Sequence, residues 1–353
     1  MNVVVTTIVR GADRGEDGFV YVIDWDEQTI SHQFVPPPAM NPELGPRGGT
    51  RGYRGITFSG AHCLIANNDS VFAYNDRWEV EEVISHPMFC DLHEIRWDGE
   101  ALWVVSTGID AILKCSPSGE LLDEYVLGEL EGAVASELRL PPRPIDRSID
   151  HRLRYWPPTP HHISHPNAVD IHEGRPYVTL YNQGAVIALN PLEVIWHDAA
   201  YRGMHSGRML PGRRLCVARS YQRSVELIDL ERRRPAARVE VLPESLAVGS
   251  RAKRAWQGVV SHPVVAGSAP VKLLLRNPLI RTAVREVPGL SPKAQSLVGW
   301  ARGLAVLSER RVLAGTSPAT VCQLNLETGS IERYVALDSR VENAVFEVGV
   351  DPR

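Results

Sequence analysis

Residues 93–115 read HEIRWDGEALWVVSTGIDAILKC. A polar residue opens a short apolar strand, Asp98-Gly99 turns the chain, a second apolar strand ends in the small polar pair Ser106-Thr107, and a third strand follows. Short β-branched and aromatic runs separated by an Asp-Gly turn are the grammar of a β-hairpin. The same layout recurs from Arg54 to Asn75, from His165 to Asn190, from His205 to Asp229 and from Arg302 to Asn325, with turns at Ser59-Gly60, Glu173-Gly174 and Pro211-Gly212. The five starts are spaced 39, 72, 40 and 97 residues apart. A period near 40 with about four short strands per unit predicts a β-propeller. The two long steps are then a normal blade plus an insertion, one Pro-rich over about 126–160 and one over about 240–298.

The two ends of the chain supply a further blade. Glu342-Asn343-Ala344-Val345-Phe346 resembles the first strand of a repeat, and it opens at residue 341, 39 residues after Arg302. The N-terminal runs Val3–Ile8, Gly18–Asp24 and Thr29–Pro36 read as the other three strands of that unit. A blade shared between the termini closes the ring and removes free sheet edges. The expectation is therefore an all-β, six-bladed propeller, a single domain over 1–353, with two inserted loops or lids. Pro263, Pro270, Pro278, Pro288 and Pro292 argue against a seventh blade hidden in the second insertion.

Composition agrees. Lys plus Arg number 38 against 42 Asp plus Glu, a net charge of −4 over 353 residues, which lacks the footprint of a dedicated nucleic-acid binder. With 44% hydrophobic and 23% charged residues the chain is globular rather than disordered. Its 28 Gly and 26 Pro favour turns and short strands over long helices. The opening Met1-Asn2-Val3-Val4-Val5-Thr6-Thr7-Ile8 has no basic segment, long apolar stretch or small-residue cleavage site, and no run approaches the roughly 18 apolar residues of a membrane span. Five Cys without a CxxC pair suggest neither a disulfide framework nor a thiolate zinc site. A cytoplasmic protein is expected.

The opening residue of each repeat carries the chemistry. In a propeller the first strand of every blade lines the central channel, so Arg54, His93, His165, His205, Arg302 and, in the shared blade, Val341 or Glu342 are expected around the channel mouth. Three consecutive blades thus present His93, His165 and His205. Neutral imidazole is the commonest metal ligand, and three of them leave positions open for water or substrate. One divalent or redox-active ion is expected there, iron first, with copper or zinc as alternatives. His161 and His162, just ahead of the third blade, offer a possible fourth ligand.

Other side chains complete the expected site. Glu94 adjoins His93 and, in an ideal strand, points to the opposite face, unless a bulge turns it. It is a candidate acid–base or supporting group. Arg54 and Arg302, each followed by Gly, bring planar donor forks suited to a carboxylate or other anion. Asn167 shares a face with His165 and is placed with Arg208 and Trp156 in a substrate-binding set. Trp156 lies in a Pro-rich, aromatic-bearing loop that leads into His165. The second insertion is locally basic, and its 271–285 stretch reads as a lid or as a peripheral membrane contact. The sequence does not disclose an oligomeric state.

The succession His93-Glu94, His165-Pro166-Asn167-Ala168, His205-Ser206-Gly207-Arg208 and Arg302-Gly303-Leu304 is similar to an uncharacterised group of bacterial propeller-like proteins. The match covers the repeats and not the insertions. In its metal-site logic the chain distantly resembles the carotenoid cleavage oxygenases, which hold one iron by histidines alone on a propeller axis. Those have seven blades and four histidines. The Glu, Asn and Asp ligand pattern of gluconolactonase-like propellers is not found at these positions. The resemblance implies an oxidoreductase or oxygenase acting on a small organic substrate. A non-redox metal-dependent lyase, cyclase or hydrolase, and a metal-free ligand- or protein-binding propeller, are the alternatives.

Overall fold

A computed structural model describes residues 1–9, 17–38, 40, 52–153, 163–241, 300–339 and 343–353. Trp156, His161, His162, Val341, Glu342 and the 271–285 stretch lie outside these residues. The strands, in chain order, are β1 (Asn2–Val9), β2 (Val20–Asp24) and β3 (Thr29–Phe34); β4 (Ile56–Ser59), β5 (His62–Ala66), β6 (Val71–Tyr74) and β7 (Val80–Ile84); β8 (Leu92–Trp97), β9 (Leu102–Ser106), β10 (Ala111–Cys115) and β11 (Leu121–Val126). There follow β12 (Pro166–His172), β13 (Arg175–Leu180), β14 (Ala185–Ala188) and β15 (Glu193–His197); β16 (Met204–Leu210), β17 (Arg214–Arg219), β18 (Ser224–Asp229) and β19 (Arg234–Glu240); β20 (Arg302–Val306), β21 (Arg311–Thr316), β22 (Thr320–Asn325) and β23 (Ser330–Ala336); and β24 (Asn343–Val350). They form six four-stranded antiparallel sheets among the described residues. Blades 1 to 5 are β4–β7, β8–β11, β12–β15, β16–β19 and β20–β23; blade 6 runs β24-β1-β2-β3. The expected six-bladed propeller is therefore the fold. Its closure is the expected one, with Val3 opposite Val350 and Val9 opposite Asn343.

No single core exists. Each pair of neighbouring blades buries its own apolar cluster, and successive residues of one strand serve different clusters because side chains alternate across a sheet. Val104 packs toward blade 1 with Leu64 and Leu92, whereas Val105 packs toward blade 3 with Val169 and Val178. Leu313 faces blade 6 and Val312 faces blade 4. A one-residue slip would exchange the two interfaces of a blade, so register is fixed from both sides. Where a blade meets solvent at its fourth strand the sequence turns polar: β7 is Val-Glu-Glu-Val-Ile, and β19 carries Arg234, Pro235 and Arg238. Charge and proline on an outer edge discourage pairing with another chain.

The hairpins form where turn chemistry places them. Glu173 and Gly174 both have positive φ between the paired His172 and Arg175, as a two-residue type I′ connection requires. The first insertion differs from a plain Pro-rich loop, since Gly132–Leu138 forms a helix, α1. Its Val134 and Leu138 are buried against the blade 2–blade 3 cluster, and this packing rather than length stabilises so short a helix. Among the described residues no helix is long and apolar enough to cross a membrane.

Candidate functional site

Every inner strand is interrupted where it reaches the axis. Two residues oppose one at His93-Glu94 in β8 and at His205-Ser206 in β16, and single extra residues occur at Asn167 in β12, Gly303 in β20 and Phe346 in β24. Ahead of β4, Ala66 accepts from Arg54 N and donates to Gly55 O, the same two-against-one count. A bulge re-aims a side chain out of the strand's alternation. Small hydroxyls then tie three of the neighbouring blade pairs beside the axis. Thr6 Oγ1 donates to Arg54 O, Thr107 Oγ1 to Pro166 O (2.6 Å) and Ser220 Oγ to Ala301 O (2.7 Å).

These devices assemble one tier of buried side chains. Blades 2, 3 and 4 contribute His93, His165 and His205, as expected, and blades 5 and 1 contribute Arg302 and Arg54. Blade 6 places Phe346 between the two arginines, with Arg302 Cζ 5.2 Å and Arg54 Cζ 5.4 Å from its ring centroid. The Phe346 ring also meets His93 edge-on at 5.2 Å. The tier thus has an imidazole arc and a guanidinium arc.

Each imidazole is held by a different neighbour. The Asn167 amide donates through Nδ2 to Met204 O at 3.3 Å, so its Oδ1 is the atom 2.6 Å from His93 Nδ1. Nδ1 of His93 must then carry the proton. At His205, Nδ1 lies 2.5 Å from Ser220 Oγ and 3.2 Å from Gly203 O. With the Ser220 proton directed to Ala301 O, both neighbours of that Nδ1 are acceptors, which favours the Nδ1–H tautomer. His93 and His205 therefore share an Nδ1–H tautomer, with the Nε2 of His93 4.0 Å from Asp91 Oδ1. His165 sits at φ 51° ahead of β12, and its backbone N donates to Asp110 Oδ1 at 2.7 Å. Asp110 also accepts from Ile163 N and Ser164 N, at 2.8 and 2.9 Å. One carboxylate thereby fixes the turn that aims His165.

The ring centroids of His93 and His165 are 4.9 Å apart and nearly perpendicular. Two imidazoles sharing an ion at about 2.0–2.1 Å from each nitrogen have centroids roughly 4.5–5.3 Å apart. The pair falls in that range, which an edge-to-face ring contact shares. His205 stands beyond Tyr181, whose ring lies 5.1 Å from His165 and 5.1 Å from His205. Among the described residues no three His, Cys, Asp or Glu side chains are grouped closely enough to hold an ion. Burial holds His93 well below the usual histidine range, helped by the Arg54 charge against the opposing pull of Asp91. Burial and the Arg302 charge do the same to His205. Both are neutral, as ligands or hydrogen-bond acceptors must be.

The next tier is ionic. Arg208 of blade 4 reaches Glu94 of blade 2 at 2.8 Å and Glu347 of blade 6 at 3.2 Å, so its guanidinium crosses the axis. Its Nε donates to Leu304 O of blade 5 at 2.9 Å. Arg96 adds a second cation 3.1 Å from Glu94. Burial, with Glu347 beside it, pushes the Glu94 carboxyl well above its ordinary range despite both arginines. Arg208 and Glu94 are thus brought together with each other rather than with the imidazole arc. Asn167 is engaged at both ends of its amide, holding His93.

The sequence reading missed Phe346, Asp110, Ser220 and an aromatic wall. In that wall Tyr181 OH bonds Tyr221 OH, and Tyr221 meets Trp300 edge-on at 5.6 Å. Trp300 in turn lies 5.9 Å from His205. Tyr181 and Tyr221 each lie 16 residues past the histidine that opens their blade, a spacing the repeat alignment could have exposed.

No protein-family model matches the chain, and no curated protein matches it. Solved structures do. A protein of unknown function from Bacteroides caccae superposes with a TM-score of 0.54 at 10% identity, covering 98% of this chain and 97% of that one. A structure described as a nidogen/laminin complex matches with a TM-score of 0.54 at 8% identity and the same coverage. The likeness is one of fold alone. Virginiamycin B lyase from Staphylococcus aureus matches over 60% of this chain and 59% of its own, at 11% identity and a TM-score of 0.39. A shared propeller does not carry an activity with it, and function has to be argued from the site.

Proposed function

We propose that the chain is an enzyme acting on a small organic substrate at the axial tier, with one metal ion held by His93, His165 and His205. The observation that carries the reading is the common tautomer of His93 and His205, which Asn167 and Ser220 favour by accepting at Nδ1 and which leaves Nε2 the basic nitrogen of each ring. Iron is the expected ion, with copper or zinc as alternatives, because neutral nitrogen ligands suit all three. Such an ion supplies Lewis-acid or dioxygen-dependent chemistry, and an oxidoreductase or oxygenase is the preferred class. The protein's own groups would orient the substrate through Arg54 and Arg302 and exclude water through Phe346, Trp300 and Tyr181. For three nitrogens to bind one ion, the His205 ring has to move toward the His93–His165 pair. That requirement favours a second reading, a metal-free pocket that binds its ligand by imidazole and guanidinium contacts.

Elemental analysis of the purified chain, before and after reconstitution, separates the two. The metal reading expects close to one ion per chain, lost in His93→Ala, His165→Ala and His205→Ala proteins that remain folded. Zinc would turn the assignment toward hydrolysis or elimination. Absence of any stoichiometric ion after reconstitution sinks the metal reading and leaves the binding pocket.

A further inference from the structure

We infer that the arginine-bearing turns of blade 4, on the propeller face remote from the histidine tier, dock a short acidic segment of a partner protein. The inference is independent of the axial tier and of any metal there. The first support is placement. The inner strands run away from the histidines, so the turns that join first to second and third to fourth strands emerge on that remote face. In blade 4 they are Pro211-Gly212-Arg213 and Leu230-Glu231-Arg232-Arg233, with Arg214 and Arg234 opening the strands that follow. Arg214, Asp229 and Arg234 stand abreast on β17, β18 and β19, which at about 4.8 Å per strand brings the two turns within about 10 Å of each other. Leu230 N donates to Arg213 O at 3.0 Å and ties one turn to the other.

The second support is uncompensated charge. Arg214 pairs with Glu309 at 2.8 Å and Arg232 with Asp229 at 3.2 Å. Arg213 and Arg233 are exposed, and among the described residues neither makes an ion pair. Arg233 is held instead by the face of Trp196, 5.9 Å from its Cζ, a contact that uses none of its N–H donors. Both arginines occupy the left-handed region, at φ 52° and 50°, where glycine is unstrained. The matching turn of blade 5 has Gly329, at φ 71°, where blade 4 has Arg233. The turn itself therefore does not require arginine. The third support is extent. Blade 5 balances Arg310 with Glu327 at 2.9 Å, while blade 2 presents Glu100 and Glu120 and blade 6 presents Glu27 on the same face. The positive field is confined to one blade. A short acidic segment fits inside it, and the planar guanidinium fork matches a carboxylate. A nucleic acid or an anionic membrane would span the face and meet the acidic turns on the other blades.

The test is fluorescence anisotropy of a labelled hexaglutamate peptide titrated with the full chain at neutral pH and about 0.05 M salt, where surface charge is weakly screened. Hexaglutamine, a single-stranded oligothymidylate of equal charge and phosphatidylglycerol vesicles are the comparison probes. Saturable binding of hexaglutamate is expected, and none of hexaglutamine. Arg213→Gly/Arg233→Gly should weaken hexaglutamate about tenfold. Its melting temperature should be unchanged or higher, because glycine suits both backbone positions, and this separates lost binding from lost folding. The control Arg77→Gln/Arg310→Gln removes the same charge from blades 1 and 5 on that face and should bind as the parent does. An equal loss in the control would reduce the effect to net charge and overturn the assignment. Oligothymidylate or vesicles bound as tightly as hexaglutamate would overturn it too, as would a folded Arg213→Gly/Arg233→Gly protein with unchanged affinity. A parent chain that sediments as a dimer, with the double variant a monomer, would give these turns to a second copy instead.

Discussion

Asn167 and His93 stand on neighbouring blades, and the 2.6 Å contact between Oδ1 of one and Nδ1 of the other makes the blade interface itself part of the site. Asn167→Ala leaves a buried N–H without its acceptor. A stability loss of about 1–3 kcal/mol is expected, with metal affinity lowered about 10–100-fold. Nitrogen-15 shifts of the His93 ring give a readout independent of activity. The wild type should show a protonated Nδ1, and the variant a tautomer mixture. An unchanged ring spectrum would remove Asn167 from this role.

The buried titrating groups oppose one another in their pH dependence. In metal-free protein, His93 and His205 have folded-state pKa values below the unfolded value of 6.5, so below about pH 6.5 the unfolded chain binds more protons and stability falls with acidification. Glu94 has a folded-state pKa above its unfolded value of 4.5, so its contribution is full below pH 4.5 and declines as pH rises toward the folded value. Over about pH 5 to 6.5 the two imidazoles and the carboxyl act in opposite directions, the imidazoles favouring the folded state as pH rises and Glu94 opposing it. Stability should rise from about pH 5 toward 6.5, and Glu94→Gln, which removes the opposing contribution, should steepen that rise. Urea midpoints across pH 5–8 check both.

Removing Arg208 leaves Glu94 and Glu347 facing each other in a closed space. Arg208→Leu should cost about 3–5 kcal/mol, the usual penalty for breaking a buried ion pair from one side. The triple variant that also carries Glu94→Gln and Glu347→Gln should recover most of it. Equal urea stability of the Arg208→Leu single variant and the wild type would show that the clasp contributes nothing.

Ring closure is testable by truncation. A chain ending at residue 340 lacks β24, and with it the partner of β1 along its whole length. Loss of the cooperative thermal transition is expected, followed by circular dichroism. A truncated chain that melts like the parent would contradict closure by blade 6.

Much of the fold was legible because its signals are local. The turn at Glu173-Gly174, the 40-residue period and the matching of Pro166-Asn167-Ala168-Val169 with the C-terminal strand placed blades and closure. Five of the six axial residues followed from the same alignment, which offered Val341 or Glu342 where Phe346 stands. The missed elements depend on distance in the chain. Phe346 reaches the axis because a bulge displaces it, and no period-2 pattern marks a bulge. Ser220 and Thr107 were visible only as small polar residues ending a second strand, and their function emerges when the carbonyl of the next blade comes within 2.6–2.7 Å. Glu94 lies next to His93 in sequence, yet β8 sends the two to different tiers, which adjacency alone conceals. Gly303 shows the same limit: its φ is +58°, and a Cβ there would stand 2.7 Å from Glu347 Cα, a contact set by a strand more than forty residues away.

The six interruptions of the inner strands have an evolutionary corollary. A residue opposite its partner in a regular ladder cannot be exchanged freely, because its size is felt across the sheet. A residue on a bulge stands outside that bookkeeping. Blades 2, 4 and 6, whose axial His93, His205 and Phe346 stand on the interruption itself, consequently offer mounting points whose occupant can be replaced while the pairing behind it stays in register. Such mounts around a common centre let point substitutions exchange one side chain for another there while the propeller that carries them is left as it is.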